Sequence, residues 1–458
     1  ALVYTADTKK SVLLKASINL DGNTDTLSLV FDETVDVSTY TADRFTIHST
    51  STGGESHQLV GGTVQGTDGP SVDILLSKGD RDAIKLLAAL AIDAGSTFVE
   101  MQEGGFKDMT SSVFANPGAL AGLAVVANDF VVDATDPVLE SFSITINEGV
   151  EGIITLNFNE PVNTDTYTST GLTFQSHASS LQQGFQSYTL TAGVTISANG
   201  LTMTASITNS DLNEIKLLES LFVDTDSTYL SLASSSIQDM QGNDVVAIAS
   251  TVALKVAVNG FTEDTTRPIV REFDLDMTEE TLTLHFLEPV DVSTFDYKAI
   301  TLQASSSAED ARRHTLLGGS IATGSVDDQT VVIDLTLDDM NEMKRKVIGS
   351  EASTSYLTLT ADAISDQNGI KVVPLSNKNN ALLVDVYVED STPPVLWKFV
   401  VDLTAETILL EFSETVRASS INIPSFTLFG AQDASAALKT FETTSVESPD
   451  GPKITLKF

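Results

Sequence analysis

The amino-acid sequence predicts an all-β fold of tandem antiparallel sandwiches, each with one short helical insert. The first observation is a phrase, Phe-x-Glu-Pro/Thr-Val, that occurs four times, with its phenylalanines 127, 128 and 126 residues apart. A period of that length is typical of a whole domain. The second observation is that each period contains short segments in which apolar and polar residues alternate, as in strands with one solvent-exposed face. The four phrases begin at Phe31, Phe158, Phe286 and Phe412.

Further phrases keep the same step and place the domain boundaries. An Asp-x-Thr phrase precedes three of the copies, while Asp7 holds the acidic position before the first. Residues 1–7 read like the run 383–390 that closes a later copy, so we expect a piece of a longer protein. The predicted domains are residues 1–7 as the terminal strand of a preceding repeat, 8–133, 134–264 and 265–390 as complete repeats, and 391–458 as a partial repeat.

Composition excludes several classes of partner and site. Lys plus Arg number 25 and Asp plus Glu 63, and the net charge of −38 argues against nucleic acid or an anionic membrane as a partner. The absence of cysteine excludes disulfides, thiol nucleophiles and Cys-ligated metal sites. No apolar stretch reaches the roughly 18 residues needed to span a bilayer. Hydrophobic residues make up 41%, enough for a packed core in each repeat.

The second repeat illustrates the predicted sandwich. Its short segments are rich in Thr, Val, Ile, Leu and Phe and are separated by Gly, Asn, Asp and Ser, which is typical of antiparallel strands. One segment of each complete repeat instead has helical spacing and begins with an aspartate that could cap it. The predicted strands are 139–146, 153–158, 172–175, 188–192, 201–207, 228–233 and 247–258, and the predicted helices are 80–85, 211–216 and 339–344.

Strand parity predicts that three acids of each repeat meet at one end of an immunoglobulin-type sandwich. If consecutive strands alternate in direction, the linker Asp, the Glu of the phrase and a late Asp before a Gly/Asn turn share that end. Carboxylates repel one another unless a cation neutralises them, and Ca²⁺ takes about six to eight oxygen ligands. We therefore predict calcium that stiffens the repeat junctions. The ligand sets are Asp7, Glu33 and Asp108; Asp133, Glu160 and Asp239; Asp264, Glu288 and Asp366; and Asp390 with Glu414.

Other interpretations of these residues remain open. The Glu could accept backbone hydrogen bonds in its own loop, and the late Asp could merely stabilise its turn. A Lys–Asn isopeptide bond, another device of cysteine-free surface proteins, would need a buried Lys. The lysines that recur on the predicted helices are expected to face solvent or to pair with neighbouring acids. These lysines are Lys85, Lys216 and Lys344, and the nearby reserve acids are Asp136, Asp244 and Asp291.

No catalytic signature points to an enzyme. The sequence lacks a nucleophile elbow, a His-Glu-x-x-His helix and a phosphate-binding Gly-Lys-Ser/Thr loop. Paired carboxylates can support glycoside hydrolysis, but acids that recur in every repeat fit a structural task better. Trp397, the single tryptophan, is expected to point outward, where it could stack on a sugar or pack at an interface. The histidines, none of which recurs at the repeat step, are His48, His57, His177, His285 and His314.

Each repeat resembles the bacterial immunoglobulin-like domains of S-layer and large adhesin proteins. The resemblance covers nearly the whole chain and rests on an Asp-x-Thr-x-Pro start, a Phe-x-Glu-Pro-Val strand end and an Asp-x-x-Gly-Asn turn, as at residues 133–137, 158–162 and 239–243. The helical insert and the Ser-Thr-Phe/Tyr stretch depart from the bacterial form. They look more like the very long repeat proteins of algal and other protist cell surfaces.

The resemblance and the missing catalytic motifs together predict a non-catalytic structural or adhesive component of an extracellular or cell-surface fibre, filament or layer. Its expected partners are other copies of itself, other surface proteins or glycans. The alternative is a carbohydrate-binding or enzyme-accessory array that grips polysaccharide with its end loops.

Overall fold

The computed structural model describes residues 9–22, 25–110, 123–125, 129–146, 152–307, 311–376, 381–429, 437–440 and 445–457. The predicted terminal strand at 1–7, with the candidate ligand Asp7, lies outside them. The chain forms two compact units, Ala1–Glu263 and Asp264–Phe458. Both units consist of mainly antiparallel β-sheets with short helices, which confirms the predicted all-β class.

The first unit contains the first two repeats. The strands of the first repeat are β1 (Leu13–Asn19), β2 (Thr26–Asp36), β3 (Phe45–Thr50), β4 (Gly53–Gln58), β5 (Thr63–Gln65), β6 (Gly69–Leu75), β7 (Phe98–Met101), β8 (Lys107–Asp108), β9 (Leu123–Ala124) and β10 (Phe130–Val131), with helix α1 at Lys78–Leu86. Those of the second are β11 (Leu139–Thr145), β12 (Gly152–Asn163), β13 (Leu172–Gln175), β14 (Ser187–Thr189), β15 (Gly200–Ile207), β16 (Tyr229–Leu232), β17 (Gln238–Asp239), β18 (Leu254–Lys255) and β19 (Phe261–Thr262), with helix α2 at Asn209–Lys216.

The second unit contains the third repeat and the partial fourth. The third repeat has strands β20 (Val270–Asp276), β21 (Thr281–Val290), β22 (Ile300–Gln303), β23 (Arg313–Thr315), β24 (Ser320–Ile321), β25 (Asp328–Asp334), β26 (Tyr356–Leu359), β27 (Leu382–Leu383) and β28 (Tyr387–Val388), with helix α3 at Leu337–Arg345. The fourth has β29 (Leu396–Asp402), β30 (Thr407–Val416), β31 (Thr427–Phe429), β32 (Ala437–Thr440), β33 (Ser445–Val446) and β34 (Gly451–Lys457).

Single turns of 3-10 helix complete the described helical structure. Two such turns follow the second strand of every repeat, and most of the others lie in the loops of the second sheet. Their bounds are Val37–Thr39, Ala42–Arg44, Ala94–Ser96, Thr164–Thr166, Ser169–Gly171, Thr225–Ser227, Ser234–Ser236, Ser250–Val252, Val292–Thr294, Tyr297–Ala299, Ala352–Thr354, Ala418–Ser420 and Ile423–Ser425.

Each of the first three repeats is a pair of facing sheets. In the second repeat one sheet has the order β15-β12-β11-β19 and the other β14-β13-β16-β18. The closing strand β19 joins β11 in parallel, and β10 and β28 join the first strands β1 and β20 of their repeats in the same way. The predicted strands of this repeat are found, except that the last, predicted over residues 247–258, is reduced to the two-residue strand β18.

Alternation of apolar residues along the strands builds the cores. In β21, Leu282, Leu284 and Phe286 are buried, while the intervening residues are partly exposed. The buried apolar residues of the described chain fall into four clusters, one within each repeat. Burial of a side chain such as Phe142 stabilises the fold by about 1.5–3 kcal/mol.

The second strand of every repeat is irregular where the Phe-x-Glu phrase lies. Pairing between β12 and β15 shifts register between Asn157 and Val162, and Glu160 and Pro161 fall within that interval. Bulges of this kind re-aim side chains and tolerate proline, because no regular ladder bond is needed there. The matching shifts lie at Val30/Val35 in β2, His285/Val290 in β21 and Glu411/Val416 in β30.

The helical inserts begin earlier than predicted and are capped by a hydroxyl, not by an aspartate. Helix α2 starts at Asn209, and the side chain of Thr208 accepts a hydrogen bond from the Asp211 amide. Ser77 and Thr336 cap α1 and α3 in the same way. The sequence-based assignment of the cap to the leading aspartate is therefore wrong, because that residue is the third residue of the helix.

The displaced aspartate instead anchors the helix to the sheet. Asp211 is fully buried and accepts hydrogen bonds from the Tyr188 hydroxyl at 2.9 Å and from the Thr191 hydroxyl at 2.7 Å. Burial acts to raise the pKa of Asp211, but hydrogen bonds from Thr191 and Tyr188 outweigh it and lower the pKa. In the neighbouring repeats the tyrosine is replaced by histidine, with pairs at His57–Asp80 (2.8 Å) and His314–Asp339 (2.7 Å).

Substituting Asp211→Ala is expected to destabilise the second repeat by about 1–3 kcal/mol, because several buried donors lose their acceptor. Hydrogen exchange of the α2 amides and the midpoint of urea unfolding measure the loss. Glu214→Ala, on the exposed side of the same helix, is the control. An equal effect of the two substitutions would show that Asp211 does not anchor the helix.

A lysine-centred carboxylate cluster as candidate functional site

The linker aspartates divide their two oxygens between a turn and the repeat junction. Asp133 Oδ1 accepts a hydrogen bond from the Thr135 amide at 3.2 Å, and Asp390 Oδ1 accepts one from Thr392 at 3.0 Å. This local bond between an aspartate and the amide two residues on explains the Asp-x-Thr spacing. It fixes the carboxylate and leaves Oδ2 for another partner.

The late aspartate braces a turn that needs glycine. Asp239 Oδ1 accepts hydrogen bonds from the amides of Gln241 and Asn243, both at 2.8 Å. Gly242 has a φ of +90°, a left-handed conformation that favours glycine. Asp239 therefore stabilises its turn by hydrogen bonds, as the turn interpretation predicted. Asp366 braces the equivalent turn in the third repeat through the amides of Asn368 and Ile370.

The structure brings the three types of acid together in two repeats. In the second repeat Asp133, Glu160 and Asp239 are buried and each places a carboxylate oxygen within 4.8 Å of the others. The linker residue arrives before β11, the glutamate from the bulge of β12, and the late aspartate from β17. The third repeat groups the equivalent residues Asp264, Glu288 and Asp366 within the same distance.

A lysine from the preceding repeat lies inside the first of these clusters. Lys85 Nζ, near the end of α1, is 2.8 Å from Asp133 Oδ2 and 2.8 Å from Glu160 Oε2. Its side chain is only 6% exposed, so the predicted pairing with acids is correct and the alternative of facing solvent is wrong for this residue. A cation in the last turn of a helix is also favoured by the helix dipole.

The same arrangement recurs between the third and fourth repeats. Lys344 Nζ, on α3, is 2.8 Å from Asp390 Oδ2 and contacts Glu414 Oε2. The Thr415 hydroxyl donates to the carbonyl of Asn341 at 3.0 Å, a second bond between helix and following repeat. In the first unit Lys78 Nζ similarly bonds the carbonyl of Asn159 at 2.7 Å. Helices α1 and α3 therefore each contact the Glu-bearing strand of the following repeat, β12 and β30.

Burial and charge act in opposite directions on these groups. Burial raises the pKa of Glu160 to about 7, even though Lys85 acts to lower it. Burial lowers the pKa of Lys85, but its bonds to Asp133 and Glu160 outweigh burial and leave the pKa raised. Nearby, burial raises the pKa of Asp25 to about 6 despite Lys85 and Arg81. Burial therefore favours the neutral form of Glu160, while the two neighbouring carboxyl groups favour the charged form of Lys85.

The remaining predicted ligands lie as follows. Glu33, in β2, is half-buried, and buried Asp108 accepts a hydrogen bond from the Thr110 amide at 2.7 Å, while Asp7 lies outside the described residues. Among the reserve acids, Asp136 and Asp244 are exposed, and Asp291 Oδ1 accepts a bond from the Ser293 amide. In the described part of the chain, no helix is both long and apolar enough to cross a membrane.

Comparisons with known proteins give only distant likenesses. No family model and no curated protein sequence matches the chain. The crystal structure of the FN1–FN3 domains of chicken CNTN1 is 7% identical with a TM-score of 0.22, over 80% of this chain and 96% of that chain. The S-layer protein rSbsC is 9% identical with a TM-score of 0.17, and the match covers 98% of this chain and 63% of that one. At these TM-scores the likenesses carry no argument about function.

Proposed function

We propose that the chain is a non-catalytic structural segment of an extracellular or cell-surface fibre, filament or layer, in which buried ion pairs clamp the first repeat to the second and the third to the fourth. The observation that supports it is the position of Lys85, which belongs to the first repeat and contacts the linker Asp133 and the strand residue Glu160 of the second. Lys344 supports the same proposal at the later junction.

A clamp of this kind fits a load-bearing task better than a catalytic one. A buried ion pair adds little net stability over an apolar contact, but it demands one geometry, and breaking it leaves a buried charge without compensation. The junction would therefore hold one arrangement and resist partial opening. Acids that recur with the domain period fit a structural task repeated along the chain, whereas an enzyme needs one site.

Self-assembly is the testable part of this proposal. The purified chain should form oligomers or filaments in native salt, seen by electron microscopy and by analytical ultracentrifugation over a range of concentrations. Exposed sheet edges supply main-chain groups for such pairing. A chain that sediments as a monomer at every concentration, with and without calcium, would contradict the fibre.

Calcium remains a prediction for the acidic clusters. For Asp133, Glu160 and Asp239 we propose that Lys85 supplies the positive charge in its place. Ca²⁺ would need about six to eight oxygens around it, and the ammonium already contacts two of the three carboxylates. Calcium at Asp264, Glu288 and Asp366 is the corresponding proposal for the third repeat.

The lysine proposal for the second repeat and the calcium proposal for the third predict different responses to calcium. Hydrogen exchange of the β12 amides should not change between calcium and chelator in the native chain, because Lys85 is in place. In Lys85→Ala the freed carboxylates should bind the ion, so calcium should restore protection to β12. The β21 amides report the third-repeat cluster in the same experiment. Calcium-dependent protection of β12 in the native chain would overturn the lysine proposal.

The alternative of a carbohydrate-binding array rests on one exposed aromatic. Trp397, on β29, is 63% exposed, as the predicted outward position requires. Aromatic faces of this kind can stack on sugars. A glycan array is the direct test, and selective binding that Trp397→Ala abolishes would favour this alternative over the fibre.

A further inference from the structure

The surroundings of Lys85 combine features that favour a covalent reaction as well as an ion pair. The side-chain exposures are 6% for Lys85, 2% for Asp133 and 5% for Glu160, so the three groups are shielded from water. The amine nitrogen and two carboxyl groups are already in hydrogen-bond contact. Holding reactants at such distances removes much of the entropic cost of a reaction between them.

We propose that Lys85 and Asp133 join to form an amide bond that ties the helix of the first repeat to the linker at its boundary with the second, with Glu160 as the proton relay. The bond would close at the boundary between two repeats, because one half comes from the helix of the first repeat, the other from the linker that leads into the second, and the relay Glu160 from the second repeat itself. The inference rests on the proposed ion-pair clamp, from which the bond would form, and it is tested by mass and not by stability, so that the two can fail separately.

The reaction consumes no other reagent. The ammonium passes a proton to Asp133 Oδ2 across the 2.8 Å contact, which gives an amine and a carboxylic acid. The nitrogen then attacks Cγ of Asp133, forming the N–C bond. Glu160 takes a second proton from nitrogen and hands a proton to the hydroxyl on the tetrahedral carbon. That hydroxyl leaves as water when the C–O bond breaks, so ammonium plus carboxylate become amide plus water.

The assignment of roles follows from how each acid is held. Asp133 is fixed by the turn bond from Thr135, so its carboxyl group keeps one orientation toward the nitrogen. Glu160 comes from the strand bulge, and its Oε2 lies 2.8 Å from Lys85 Nζ, within reach of the protons that a relay must move. Asp239 is held by bonds from its own turn, including one from the Asn243 side chain to Oδ2 at 2.8 Å.

Burial also favours the product. A low-dielectric site penalises the separated charges of the ion pair, and the neutral amide removes both. Scarce water limits hydrolysis of the amide. The pair Lys344 and Asp390 has the same chemistry but is more open, with side-chain exposures of 14% and 27%, and is an internal comparison.

Peptide mass spectrometry of the whole 458-residue chain tests the proposal. The folded chain is held at neutral pH, sampled over days, denatured and digested with trypsin. We expect one peptide that contains Lys85 uncleaved and linked to Asp133, lighter by one water than its two parts. The intact mass of Lys85→Arg should exceed that of the native chain by the residue difference plus one water, since the guanidinium is a poor nucleophile.

Two further variants separate the reaction from folding. Glu160→Gln should stay folded by circular dichroism but form the link much more slowly, at least tenfold. Lys344→Arg should keep the link between Lys85 and Asp133. Recovery of Lys85 and Asp133 on separate unmodified peptides from the folded native chain would overturn the proposal, and a link that forms at the native rate in Glu160→Gln would overturn the relay.

Discussion

The Lys85→Met substitution is expected to destabilise the junction between the first two repeats by about 3–5 kcal/mol, because it leaves Asp133 and Glu160 buried without their cation. The loss should appear as faster hydrogen exchange in α1 and at the bulge of β12, and as a lower urea midpoint. Methionine keeps most of the side-chain volume, so the effect reports the charge and not a cavity.

An exposed ion pair supplies the matched control for this substitution. Lys255 pairs with Asp226, and its side chain is 46% exposed. Lys255→Met should cost at most about 1 kcal/mol, the usual range for a surface pair. If Lys85→Met were as mild as Lys255→Met, the buried lysine would not clamp the junction.

The raised pKa of Glu160 predicts a specific pH dependence. In the unfolded chain its carboxyl group titrates near the ordinary value of 4.5, and in the folded chain near 7. Between these values the folded protein holds a proton that the unfolded chain has lost. Stability from this group is therefore complete below pH 4.5 and is lost as the pH rises through about 7.

Comparison with Glu160→Gln isolates that contribution. The amide does not titrate, so the difference in free energy of unfolding between native chain and variant should fall with rising pH across this window and be flat on either side. Asp25, with a pKa of about 6, adds a slope of the same sign to both proteins and cancels in the difference. A difference that rises with pH would mean that Glu160 is bound as the carboxylate throughout.

The repeat phrases predicted where the acids lie because each has a local physical cause. The Asp-x-Thr spacing reflects a turn bond at Asp133, and the Asp-x-x-Gly spacing reflects the left-handed Gly242. Alternation of Leu282, Leu284 and Phe286 predicted the inner face of β21. The repeat length and the alternating direction of the strands then predicted that three acids distant in sequence meet at one end of each sandwich. Two such groups of three acids are found in the structure.

The cation that pairs with Asp133 and Glu160 could not be identified from the sequence of the second repeat alone, because Lys85 belongs to the preceding repeat. Lys85 lies 75 residues from Glu160 in sequence, and only the packing of α1 against the next repeat joins them. The recurrence of lysine at the same place in each helix was the available signal. The bulge mattered too, since the regular pairing of β12 with β15 is interrupted between Asn157 and Val162, where Glu160 lies.

The helix anchors were missed for a different reason. Asp80 and Asp339 pair with His57 and His314, which are 314 − 57 = 257 residues apart, about two repeat steps. Tyr188 occupies that position in the second repeat, so the histidines did not recur at a single step. What recurs at the repeat step is a side chain that can donate a hydrogen bond to the aspartate, namely His57, Tyr188 and His314.

A double-mutant cycle between Lys85 and Glu160 tests the clamp most directly. The variants are Lys85→Met, Glu160→Gln and the two combined, with junction stability measured at neutral pH by hydrogen exchange of α1 and β12. We expect a coupling free energy between Lys85 and Glu160 of about 1–3 kcal/mol, because removing either side chain already abolishes the ion pair between them. Single-mutant effects that simply add would contradict the claim that this lysine and this acid hold the two repeats together.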